Sequence, residues 1–264
     1  VHEGYFSGSA PHNWFRTDGG GILRYSYCDP EFILGSAMFM ARPSEEWAKI
    51  SSQNRWQGVI FKGHPDARVY LQCKNSRDPS EQIITFNQYW SLQDKGCLIT
   101  QKLPLDSISS SLVKRNEDAE QLCVWISQAG REKDIVERSG WVFVEYAGAF
   151  VGINCVEGNY QWKEEKGGRS KYISELGGDW MVCETEFTPI IMEVAAKRDF
   201  SGLSDFVDTC INQKIQIDDT TLTYTSLQGS QLTFYVDRRQ IGRVNGEEVN
   251  LEPAKVFDSP FIQA

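Results

Sequence analysis

The chain has 264 residues and few of the residues from which most catalytic signatures are built. It contains only three histidines, His2, His12 and His64, so a zinc site would have to join them in space with Asp or Glu ligands. There is no HExxH, GxSxG, GxxxxGK[ST] or strand-to-helix GxGxxG, which removes the signatures of zincins, α/β-hydrolases, P-loop proteins and dinucleotide-binding folds. The seven cysteines are odd in number and form no CxxC pair. Most lie in apolar runs such as Leu122-Cys123-Val124 and Val182-Cys183. They therefore read as small buried hydrophobes, not as a disulfide framework or zinc ligands. No N-x-[ST] sequon occurs. No apolar run approaches the roughly 18–20 residues that cross a membrane as a helix. Basic residues are in the minority, 27 against 36 acidic, for a net charge of −9. That balance argues against a nucleic-acid partner, because phosphate binding needs clustered Lys and Arg. The first residues, Val1-His2-Glu3-Gly4, carry no initiator Met and no leader, and we expect a chain that starts partway through a longer product.

What the chain does have is strand-length patterning. With 41% hydrophobic and 24% charged residues, it has an ordinary globular composition. At this length it can bury a full core without disulfides or metals. Short runs rich in β-branched and aromatic residues recur between Gly, Asp, Asn and Ser clusters. They predict strands at Gly58 to Phe61, Arg68 to Cys73, Gln82 to Trp90, Gly96 to Leu103 and Gln121 to Gln128. Further strands are predicted at Trp141 to Tyr146, Phe150 to Cys155, Trp180 to Phe187, Ile190 to Ala195, Thr221 to Thr225 and Gln231 to Val236. Ile241 to Val244 and Glu248 to Leu251 flank Asn245-Gly246, the signature of a type I′ hairpin. Between Ser201 and Gln213 the apolar residues Leu203, Phe206, Val207, Cys210 and Ile211 fall at helical spacing. Ser201 or Ser204 would cap this helix, and Asp205 would sit in its first turn. The expected fold is all-β: a large antiparallel β-sandwich, supersandwich-like, with one short helix near 201–213. Residues 1–30 read as an irregular approach segment, with Gly19-Gly20-Gly21 as a flexible turn, and 31–264 as a single sandwich domain.

Candidate binding residues follow from sugar chemistry. Sugar rings present apolar C–H faces that stack on Trp and Tyr, and their hydroxyls seek Arg, Asn, Gln and Asp. Arg24-Tyr25-Ser26-Tyr27, Gln53-Asn54-Arg55-Trp56-Gln57 and Tyr160-Gln161-Trp162-Lys163 supply that mixture. Core packing is the competing role for large aromatics, whereas Arg55 could hold a carboxylate in a bidentate contact. Gly63-His64-Pro65-Asp66 reads as an ordinary turn, with a ligand or acid/base role for His64 as the alternative. The candidate set is Tyr25, Tyr27, Arg55, Trp56, His64 and Trp162. No cofactor is expected, and a divalent metal stays open.

Two stretches carry a family resemblance. One is Tyr25-Ser26-Tyr27-Cys28-Asp29-Pro30-Glu31-Phe32-Ile33-Leu34-Gly35-Ser36 with Ser51-Ser52-Gln53-Asn54-Arg55-Trp56. The other runs from Tyr224-Thr225-Ser226-Leu227 through Val244-Asn245-Gly246-Glu247 to Phe257-Asp258-Ser259-Pro260-Phe261. Together they resemble the C-terminal β-sandwich region of heparinase II/III-like, polysaccharide lyase-type proteins. The resemblance implies a sandwich that supports an upstream catalytic (α/α) toroid of the same gene product. It also implies a polysaccharide or oligosaccharide partner, acidic polymers among them, and an extracellular or periplasmic setting. In such a protein most catalytic groups sit on the toroid, so this chain alone would lack a complete catalytic set, whether the parent is a lyase or a glycoside hydrolase. Arg24, Arg42, Arg55, Lys62 and Arg68 would supply local positive charge for an acidic polymer. A stand-alone carbohydrate-binding module and a purely structural sandwich are the alternatives.

Overall fold

The structure, a computed structural model, describes residues 11–17, 21–39, 57–75, 89–102, 119–166, 176–185, 187–237, 240–254 and 257–258. Among them the first strands are β1 (His12–Thr17), β2 (Ile22–Cys28), β3 (Phe32–Phe39), β4 (Gly58–Phe61) and β5 (Arg68–Asn75). Next come β6 (Tyr89–Asp94), β7 (Cys97–Lys102), β8 (Ala119–Ser127), β9 (Val136–Arg138), β10 (Trp141–Tyr146) and β11 (Ala149–Cys155). They are followed by β12 (Tyr160–Glu165), β13 (Gly178–Cys183), β14 (Ile190–Ala196), a 3-10 turn at Lys197–Asp199 and the helix α1 (Leu203–Asn212). The last are β15 (Ile215–Ile217), β16 (Thr221–Thr225), β17 (Gln231–Tyr235), β18 (Arg243–Val244), β19 (Glu247–Glu248) and β20 (Phe257–Asp258).

Every pairing between these strands is antiparallel, in three sheets. A nine-stranded sheet runs β12-β13-β8-β5-β4-β3-β2-β1-β20, a six-stranded sheet runs β6-β7-β14-β11-β10-β9, and a five-stranded sheet runs β15 to β19 in order. The first two stack face to face. Side chains alternate across a strand, so β8 sends Leu122, Val124 and Ile126 into the shared core together with Val142, Val144, Val151, Ile153, Met192 and Val194 of the six-stranded sheet. Phe61 and Tyr146 stack at 4.1 Å in this core.

The six-stranded sheet is covered on its other face as well. Trp141, Phe143, Phe150, Ile191 and Ala195 pack there with Phe206, Val207 and Cys210 of α1 and with Leu222, Tyr224, Leu232 and Phe234 of the small sheet. Every residue of β7, β10, β11 and β14 is therefore buried. A sheet buried on both faces reads as a continuous apolar run, not as an alternation. Three layers thus replace the two that the strand pattern alone suggested. Gly58 sits where β4 meets β5, with φ +154°, and a Cβ there would lie 2.3 Å from the Val69 carbonyl. Only glycine permits that approach.

The all-β fold with a single helix among the described residues matches the expectation. Strands β4, β10 and β16 have the predicted bounds, and Asn245 and Gly246 take φ of 52° and 84° in their hairpin. Three expectations change. Residues 12–17 and 22–28, expected to be irregular, form β1 and β2, paired from His12↔Cys28 to Thr17↔Leu23. In β2 the run Arg24-Tyr25-Ser26-Tyr27 alternates polar with aromatic residues, as strand positions do. The strand expected over Trp180 to Phe187 stops at Cys183. The α1 N-cap is Gly202, with no side-chain cap. Ser201 instead donates its N–H and hydroxyl to Asp205, at 2.9 and 3.0 Å. Residues 1–10, 19–20, 44–46 and most of the strand expected from Gln82 lie outside the described residues.

Candidate functional site

The two large sheets end on the same side of the molecule, with β12 as the last strand of one and β9 as the last strand of the other. Along β12 the strand period places Tyr160 and Trp162 on one face and Gln161 and Lys163 on the other. The two aromatics are half-buried and pack on the edge of the shared core, their rings 5.7 Å apart at 80°. Opposite them β9 is exposed throughout. Its central residue, Glu137, closes the seam: Trp162 Nε1 donates to Oε1 at 2.8 Å and the Tyr160 hydroxyl donates to Oε2. Burial, and then the Glu137 carboxylate, push the Tyr160 hydroxyl above its ordinary value. Tyr160 is a hydrogen-bond donor here. Arg138 fixes the far side of β9 through Asp208 of α1, at 2.7 Å.

The loop leading into β9 borders two open clefts. One, of about 590 Å³, is lined by Gln128, Arg131, Glu132, Lys133, Asp134 and Val136. The other, of about 210 Å³, shares Gln128 and Arg131 and adds Glu164, Lys166, Leu176 and Asp179 among others. Arg131 pairs with Asp179 at 2.6 Å, which ties the loop to β13. Beside it Lys197 reaches Glu145 at 2.7 Å and Glu132 at 2.5 Å, and Lys133 reaches Glu145 at 2.7 Å. Burial would raise the Glu145 carboxyl, but hydrogen bonds from Lys133 and Lys197 outweigh it and hold Glu145 below the usual carboxylate range. The resulting surface offers aromatic edges, fixed carboxylates and partly exposed cations side by side.

The sequence-selected residues fall in several places. Trp162 is at the seam. His64 occupies the expected turn, its Nδ1 accepting the Asp66 N–H at 3.1 Å. The turn lies against the 128–136 loop, since a Cβ on Gly130 would come 3.6 Å from His64 Cβ. Tyr27 is buried and Tyr25 half-buried, and the hydroxyls of both are engaged within the fold. The Tyr25 hydroxyl accepts from the Lys95 N–H at 3.2 Å and the Tyr27 hydroxyl from Gln228 Nε2 at 3.1 Å, which ties three segments of the fold together. Burial raises both hydroxyls. Arg55 and Trp56 lie outside the described residues. Sequence reasoning missed Glu137, Arg131 and Asp179. The run Arg131-Glu132-Lys133-Asp134 ahead of Val136-Glu137-Arg138 was the available signal, but charge runs usually mark solvated faces.

Among the described residues no three His, Cys, Asp or Glu side chains are grouped to hold a metal ion, and no helix is long and apolar enough to cross a membrane. Comparison with protein-family models, with curated proteins and with solved structures finds no match to this chain.

Proposed function

We propose that this chain is a carbohydrate-binding β-sandwich module and that glycans engage it along the seam between β9 and β12. The observation that carries the reading is the Tyr160–Trp162 pair held by Glu137 beside a cleft that contains Arg131 and Lys133. An aromatic edge gives a sugar ring an apolar C–H surface, and its amphipathic character suits a site that is wet on one side. Carboxylates and cations fixed by their own ion pairs lose little freedom when they take up hydroxyl contacts. The net charge of −9 repels acidic polymers at long range, so Arg131, Lys133 and Lys197 would have to provide the local attraction for a uronate. The resemblance to heparinase II/III-like sandwiches extends the reading: the module would present polysaccharide to a catalytic toroid of a longer product.

The test is isothermal titration of the chain with neutral and uronate-containing oligosaccharides. Trp162→Ala should weaken binding by about tenfold or more, the scale of a lost aromatic anchor, and leave the circular dichroism spectrum unchanged. If no glycan in the panel binds, the module is a structural sandwich instead; if the variant binds like the parent, the glycan sits elsewhere and the seam is not the site.

A further inference from the structure

We infer that Cys155 and Cys183 form a redox-responsive clasp between the two large sheets, closed by thiol–disulfide exchange with a small disulfide of the glutathione class. Cys155 is the last residue of β11 in the six-stranded sheet, and Cys183 the last of β13 in the nine-stranded sheet. Their sulfurs face each other across the sandwich at 3.7 Å, although the residues are 28 positions apart in the chain. A disulfide needs about 2.05 Å between sulfurs. Each strand gives way to irregular chain just after its cysteine, so the remaining approach falls on strand ends and not on mid-sheet residues.

Access is built in on the Cys155 side. That residue lines an open cavity of about 640 Å³, together with Ser139, Asn154, Gly158 and Gln216. Gly158 leaves the sulfur room, because a Cβ at that position would lie 2.8 Å from Cys155 Sγ. Two other cysteines are poorer candidates. Cys97 and Cys210 are buried in the second core, and burial and Glu193 both push their thiols up, away from the thiolate that exchange requires.

The exchange proceeds in two steps. The Cys155 thiolate attacks one sulfur of oxidised glutathione, forming a mixed disulfide and releasing one glutathione thiolate. The Cys183 thiolate then attacks Cys155 Sγ, breaking the mixed disulfide and releasing the second glutathione. Two protein thiols are oxidised, one glutathione disulfide is reduced to two thiols, and the two protons pass to the released glutathione. This clasp does not depend on the glycan reading.

The experiment is to incubate the full chain with oxidised glutathione, alkylate it in denaturant and map peptides without reduction. The expected product is a single Cys155–Cys183 cross-link with the other five of the seven cysteines alkylated. It should melt about 5–10 °C higher than the dithiothreitol-treated protein, as closure of a loop of this size implies. Cys183→Ala should stop at one glutathione on Cys155. Alkylation of both residues in the wild-type chain, a cross-link from either to a different cysteine, or an oxidised form that melts no higher overturns the clasp.

Discussion

Replacing Glu193 by Gln is expected to stabilise the protein at pH 8 by about 4 kcal/mol and to leave its stability near pH 4.5 almost unchanged. Glu193 lies on the face of β14 that packs on the small sheet and is 1% exposed. Its carboxyl accepts the Leu227 N–H at 3.1 Å, with the Tyr224 hydroxyl and the Cys97 thiol beside it and, among the described residues, no cation to offset its burial. Burial pushes the group from 4.5 up to about 8. The sign follows directly. Between those two values the unfolded chain has released the proton while the folded chain keeps it, so stability falls as pH rises through that window. At about 1.4 kcal/mol for each tenfold change, the fall amounts to about 4 kcal/mol by pH 8. Glutamine fills the same space without a charge to desolvate.

Urea titrations at pH 5 and pH 8 test this, with the wild-type midpoint dropping between them and the variant's dropping much less. Equal drops in both proteins would sink it. A carboxylate shifted the other way acts elsewhere on the pH scale. Asp218, held down at about 2 chiefly by the Thr220 hydroxyl and N–H and the Thr221 N–H, contributes stability that is lost only as pH falls toward that value.

The second large effect belongs to Arg198. Asp29, in the turn between β2 and β3, is 2% exposed. One of its oxygens takes the Glu31 N–H at 3.0 Å and Arg198 Nη1 at 3.1 Å, and the other takes Arg198 Nη2. Arg198 follows Lys197, whose ammonium holds Glu145 in the six-stranded sheet. The 3-10 turn after β14 therefore bolts the two sheets together through adjacent cations. Arg198→Ala would leave the Asp29 carboxylate buried without its partner. Breaking a buried pair from one side costs about 3–5 kcal/mol. Because the arginine itself is 45% exposed, the lower end applies, about 3 kcal/mol, or a melting point lower by roughly 6–10 °C. Adding Asp29→Asn should recover much of the loss, since the uncompensated charge disappears. A single variant within 1 °C of wild type, or a double variant worse than the single, would contradict the bolt.

The first prediction concerns a charged residue in apolar sequence surroundings, and it marks where legibility stopped. Val142, Val151 and Ile191 announced their strands, and the spacing of Phe206, Val207 and Cys210 announced the helix. Nothing in Ile190-Ile191-Met192-Glu193-Val194 said that the glutamate would face a third layer. An acidic residue inside an apolar strand ordinarily points to water. Tyr25 and Tyr27 show the converse. Their mixture with Arg and Ser suited a sugar site, yet their hydroxyls meet Lys95 and Gln228, the second of these 201 positions away in the chain.

From the sequence alone came the all-β class, the one helix, several strand bounds and the Asn245-Gly246 hairpin, but not β1 and β2. These depend on periods of two or 3.6 residues and on the φ that a turn residue tolerates, and such preferences act within a few neighbouring positions. It also put Trp162 among the candidates. Only the tertiary structure decided that β9 and β12 are sheet ends on one side, that Glu137 closes the seam between them, that Cys155 faces Cys183, and that the six-stranded sheet is covered twice. Periodicity states which face of a strand is apolar but not which sheet or layer will meet it. That choice is made by packing among residues far apart in the chain.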